Sequence, residues 1–85
     1  GYKPKENWYN IMAACIGELK LEIGEKKALL QQLDIYEILV NLYPKKLYFI
    51  QLAGTYGQLG REKDYMITLK AAHAKEFLDR ESEYL

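Results

Sequence analysis

Apolar side chains at Trp8, Ile11, Met12, Cys15, Ile16 and Leu19 recur at intervals of three and four, the spacing that lines one stripe of an amphipathic helix. A second stripe runs from about Ala28 to Tyr43 through Leu29, Leu33, Tyr36, Val40 and Tyr43, widened by Leu39 and Leu42. Pro44 ends it, because proline has no N–H for the helix ladder and pushes the preceding residue out of helical geometry. Phe49, Leu52, Tyr56 and Leu59 predict a third helix, and Tyr65, Met66, Leu69, Ala72 and Phe77 a fourth. No segment alternates with the period of a strand, so the chain reads as all-α. The joins near Gly24, Pro44 and Gly60 are short, which predicts antiparallel helical hairpins.

Shifting the sequence by 40 positions aligns PKENWYNIMAACIGEL (residues 4–19) with PKKLYFIQLAGTYGQL (residues 44–59) without a gap. Proline, lysine, alanine, glycine and leucine coincide, while Trp8 meets Tyr48, Tyr9 meets Phe49 and Met12 meets Leu52. Self-similarity at a fixed period is the mark of stacked repeats, in which a single hairpin cannot bury its own apolar face. Repeat one spans about 4–43 and repeat two about 44–77. Asp79 followed by RESEYL predicts an N-cap and the start of a further, capping helix over 79–85.

The stretch FIQLAGTYGQLG, residues 49–60, keeps helical spacing yet contains three glycines. Gly60 fits a terminator, but Gly54 and Gly57 lie inside the pattern, where each glycine costs about 1 kcal/mol against alanine.

These residues resemble the tetratricopeptide repeat (TPR). The match is best in the second unit, with Phe49, Leu52, the small Ala53, Tyr56, Leu59, the turn Gly60, then Leu69 and Ala72. The first unit fits through Tyr9, Met12, Ala13, Ile16 and Leu19, with surplus residues around LEIGEK (residues 21–26), which form either a loop or an extension of the first helix. The resemblance implies tandem hairpins in an α-α superhelix, with Ala13 and Ala53 at close crossings within each hairpin. It also implies a concave protein-binding face formed by Asn10, Ala14, Gly17, Ile50, Gln51, Gly54, Gly57 and Gln58. Small residues there let a ligand segment, or a neighbouring helix, approach the backbone closely. The second half, from YPKKLYFIQLAGTYGQLG onward, is similar to the repeats of a bacterial family associated with the TonB energy-transduction system. That similarity implies a periplasmic parent whose partners belong to the envelope uptake machinery. A co-chaperone groove that clamps a C-terminal carboxylate is excluded. Its basic positions are matched here by Asn7, Asn10, Ala14, Gly17 and Glu18 in one unit and by Leu47, Ile50, Gly54, Gly57 and Gln58 in the other.

Composition narrows the function further. With 85 residues, 49% hydrophobic and 28% charged, the chain is one domain of modest core. A formal net charge of zero gives no reason to expect nucleic acid as a partner. No apolar run approaches the roughly 20 residues that cross a bilayer, so direct membrane insertion is not expected. The opening GYKPKENW lacks an initiator methionine and a signal-peptide core, and reads as part of something longer.

No cofactor and no catalytic set emerge. His73 has only Glu76 at helical spacing, the single serine Ser82 stands apart from it, and the acidic residues alternate with lysine as in GEKK and REKD. Metal ligation is not indicated. The single Cys15 reads as small core filler. Eight tyrosines and one tryptophan suit both hairpin packing and a peptide-binding surface. Tyr36, Tyr56 and Trp8 are expected to pack, and Tyr2, Tyr48 and Tyr84 to be exposed. The chain therefore reads as a non-enzymatic protein-interaction scaffold. The alternative is a structural segment packed within a larger array or self-associating through its open faces.

Overall fold

A computed structural model describes the backbone of residues 4–84 and the side chains of residues 4–75. It is all-helical, with five helices and no strand among the described residues: α1 (Pro4–Glu18), α2 (Lys20–Ile23), α3 (Glu25–Leu42), α4 (Lys46–Gln58) and α5 (Glu62–Tyr84). The long helices pack in chain order, α1 on α3, α3 on α4 and α4 on α5. The result is a slab of 49 × 32 × 15 Å.

The surplus around residues 21–26 forms neither a free loop nor an unbroken extension. The Leu19 amide still donates to the Cys15 carbonyl at 3.0 Å, and Ile23 to Leu19 at 3.0 Å, so the helical path continues past Glu18 as the single turn α2. Gly24 then reverses the chain at φ 96°, a conformation that side chains rarely tolerate. The next reversal follows Tyr43, where Pro44 stops α3 as expected. The third follows α4 as a Schellman motif: Arg61 N–H donates to the Tyr56 carbonyl at 3.0 Å, Gly60 N–H to Gly57 at 3.1 Å, and Gly60 holds φ 76°. Gly60 is thus the terminator that its place in the pattern predicts.

No new helix begins at Asp79. The backbone runs as one helix from Glu62 to Tyr84, because this stretch contains no glycine or proline to break it.

Two apolar clusters form the core. Ala13, Ile35, Leu39 and Tyr48 join α1, α3 and α4, with Tyr9, Met12 and Ile16 packed against them. Leu33, Leu52 and Tyr56 join α3 to α4, with Tyr36, Val40, Leu59 and Tyr65 around them. Ala13 and Ala53 are both buried, at 2% and 1% exposure.

Several burial expectations fail, and one cause accounts for those at Tyr48, Trp8 and Cys15; Ile11, Leu19 and Leu42, expected on the apolar stripes, are exposed as well. Tyr48, expected at the surface, is fully buried, whereas Trp8, expected in the core, is 58% exposed. Cys15 is likewise exposed rather than core filler. Tyr48 lies on a helix flanked on both sides, while α1 is flanked on one side only, so equivalent positions in the two units meet different surroundings. Met66, expected on the buried stripe of the fourth helix, is half exposed for the related reason that, among the described residues, α5 packs against α4 alone. Tyr36 is half-buried and Tyr56 buried, as expected. Tyr2 and the side chain of Tyr84 lie outside the described residues.

Candidate functional site

The exposed side of α4 is a strip of small and apolar positions. On a 3.6-residue helix, Leu47, Ile50, Gly54 and Gly57 share one face, and all four are exposed. Leu47 and Ile50 leave 48% and 43% of their surface open. A methyl group built at Gly54 would meet nothing within 4 Å, so the bare backbone there faces open space. Gly57 differs: its added carbon would touch the Tyr65 ring of α5 at 3.4 Å. Gly57 thus lies beside the α5 interface, where a methyl group would still fit in van der Waals contact, and Gly54 lies away from it.

The first unit follows the same plan with a similar division. Ala14 and Gly17 are exposed, but a carbon at Gly17 would stand 3.1 Å from the Gln32 amide nitrogen. That amide donates to the Ala13 carbonyl at 3.0 Å. Gly17 thus lets α3 place a side chain over the backbone of α1. Asn10 is half-buried and held in place, its amide nitrogen donating to the Tyr48 hydroxyl at 2.8 Å and to the Glu6 carbonyl at 3.1 Å. Gln51 is half-buried, with its side-chain amide oxygen enclosed and without a hydrogen-bond partner. Gln58 shares the face of the strip at the C-terminal end of α4, exposed, and also lines a cleft of about 460 Å³ with Glu25, Lys26, Leu29 and Leu59. Of the eight residues expected on the concave face, Ala14, Ile50, Gly54 and Gln58 are open to a partner without a competing structural role.

Sequence reasoning missed the group that joins the two units beneath this face. Glu6 is 2% exposed. Its carboxylate accepts from the Tyr48 hydroxyl at 2.5 Å and from Lys45 Nζ at 2.7 Å. A buried carboxylate is tolerated only when paired and hydrogen-bonded, and here two donors just after the Pro44 turn, at the start of α4, supply that need. The one sign in the sequence is that Glu6 stands where the second unit has Lys46.

A second polar link ties α3 to α4. The Tyr56 hydroxyl donates to Glu37 at 2.8 Å, and the Arg61 guanidinium lies 5.0 Å from the centre of the Tyr56 ring. Burial, then the hydrogen bond to Glu37, pushes the Tyr56 pKa up to about 12. Burial also raises that of Tyr36.

Among the described residues no three His, Cys, Asp or Glu side chains come together as metal ligands. His73 is exposed, and the side chains of Glu76 and Ser82 lie outside the described residues. Among the described residues no helix is long and apolar enough to cross a membrane. Comparison with known protein families, curated proteins and solved structures finds no match to the chain.

Proposed function

We propose that this chain is a TPR-like interaction module, without chemistry of its own, that binds a protein segment along the outer strip of α4 and the neighbouring face of α1. The observation that carries this reading is Gly54. A glycine inside a helix lowers stability by about 1 kcal/mol against alanine, and at this position no neighbouring atom needs the room. An uncompensated local cost at an exposed, apolar-flanked position is the expected signature of a surface kept bare for close approach. Ile50 and Leu47 provide the apolar contact beside it. Stacking of equivalent hairpins with small residues at Ala13 and Ala53 supports the TPR-like assignment. Placement of the parent in the periplasm, as a component of a TonB-linked envelope transport system, rests on the resemblance of residues 43–85 alone.

Photo-crosslinking tests the reading. A benzophenone side chain at Ile50 or Ala14 should capture a discrete protein partner, and the same group at Lys70 on the outer side of α5 should not. Equal capture at all three positions, or capture only at Lys70, would contradict it. Sedimentation of the unmodified chain tests the second reading, self-association, for which the exposed Leu47 and Ile50 on α4 offer an apolar face.

A further inference from the structure

The two units are related by a shift of 40 residues, so each position on α1 has a counterpart on α4 whose surroundings are known. Trp8, Met12, Cys15 and Leu19 follow a 4-3-4 spacing, a seam suited to packing against another helix. Their counterparts are Tyr48, Leu52, Thr55 and Leu59. On α4 this seam is covered: Tyr48, Leu52 and Thr55 are 0%, 6% and 5% exposed. Helix α3 covers its middle, where Leu33 clusters with Leu52 and Tyr56, and Tyr36, Val40 and Leu59 pack around them, and it shares Tyr48 with α1. On α1 the same seam is open except at Met12, which is half-buried and packs inward against the cluster of Ala13, Ile35, Leu39 and Tyr48. Trp8 is 58% and Leu19 44% exposed, Cys15 is exposed, and Ile11 beside them is 52% exposed.

We infer that the outward seam of α1 is a docking surface for one amphipathic α-helix, supplied by another polypeptide segment, whose apolar side chains repeat the 3-4 spacing of Leu33, Tyr36 and Val40. The chain contains the template of this complex in its own α3–α4 contact. A second copy of the chain is a poor occupant. Its α3 stripe is already used by α4, and its α5 presents exposed Lys63, Lys70 and His73 among Met66 and Ile67, so a lysine would be desolvated against the seam. This surface is separate from the strip around Gly54 and does not depend on its use.

Trp8 is the single tryptophan and stands in the seam, so its fluorescence reports occupancy directly. The probe is an acetylated, amidated peptide of residues 25–42, added to the full chain at up to about 1 mM. Trp8 emission should shift saturably to shorter wavelength. A peptide carrying Leu33→Ser and Val40→Ser should leave it unmoved. Cys15→Glu in the chain should weaken binding about tenfold or more without lowering the melting temperature, because Cys15 is exposed. Since a free peptide of this length forms helix weakly, a second format places residues 24–43 directly ahead of Pro4. This recreates the Tyr43–Pro44 join and raises the effective concentration to the millimolar range. Unshifted Trp8 emission in both formats would overturn the inference. An equal shift with the serine peptide would overturn it as well, and so would a shift driven by the chain's own concentration together with a dimer in sedimentation.

Discussion

Replacing Tyr48 by phenylalanine removes one oxygen and leaves the ring in place. That oxygen donates to the buried Glu6 carboxylate at 2.5 Å and accepts from Asn10 at 2.8 Å. A hydrogen bond to a charged group contributes about 1.5–3 kcal/mol, and a buried acceptor deprived of a donor loses more than a neutral one. Lys45 remains on the carboxylate at 2.7 Å, and Asn10 retains its bond to the Glu6 carbonyl, so the loss is partial. We expect destabilisation of about 2–3 kcal/mol. For a domain of this size each kcal/mol moves Tm by about 4–8 °C, so thermal unfolding followed by circular dichroism should show a drop of roughly 10–20 °C. Trp8→Phe, at the equivalent position of the first unit but exposed, should cost no more than about 0.5 kcal/mol. A double-mutant cycle with Glu6→Gln should return a coupling energy of about 1–2 kcal/mol. A Tyr48→Phe cost below about 0.5 kcal/mol, or no coupling to Glu6, would show that the carboxylate network does not hold the two units together.

Two further predictions concern packing and pH. Ala53→Leu forces additional carbons into a position only 1% exposed, and overpacking there should cost about 1–3 kcal/mol in urea unfolding; an unchanged midpoint would refute the close crossing. Tyr56 has a folded-state pKa pushed up to about 12 from an ordinary value of 10.0, so between these values the folded state binds the proton that the unfolded state has released. Its contribution is complete below pH 10 and is lost as pH rises through 10 to 12, amounting to about 2–3 kcal/mol at 1.36 kcal/mol per unit. The difference between wild type and Tyr56→Phe isolates this loss from the titration of lysines and other tyrosines. A difference that stays constant across that range would refute it.

The long helices and the ends of α3 and α4 were legible because their determinants are local, whereas the turn α2 and the unbroken run of α5 past Asp79 were not. Pro44 stops α3 and Gly60 closes α4 through their own backbone constraints, and the three-and-four spacing marks which residues turn inward. Burial of equivalent residues was not legible. Trp8 and Tyr48 occupy the same place in their units, and only the order of helices in space decides that Tyr48 is covered and Trp8 is open. Glu6 escaped notice for a related reason. A glutamate between lysine and asparagine near a helix start reads as solvated, and its partners Lys45 and Tyr48 arrive from about 40 residues away. The glycines of the candidate face show how far a sequence pattern reaches. It drew attention to Gly17, Gly54 and Gly57 together, but only the positions of Gln32 and Tyr65 separate the two that face side chains from the one that faces open space.

Gly54→Leu tests the proposed role of that open strip most directly. Leucine at an unobstructed helical position should raise intrinsic helix stability by up to about 1 kcal/mol, so the variant should melt at or above the wild-type temperature. The added side chain occupies the surface proposed for the partner, and affinity for the protein captured through Ile50 should fall about tenfold or more, equivalent to 1.4 kcal/mol or greater. A variant that melts no lower than wild type and binds that partner with undiminished affinity would contradict the assignment of the α4 strip as a binding site.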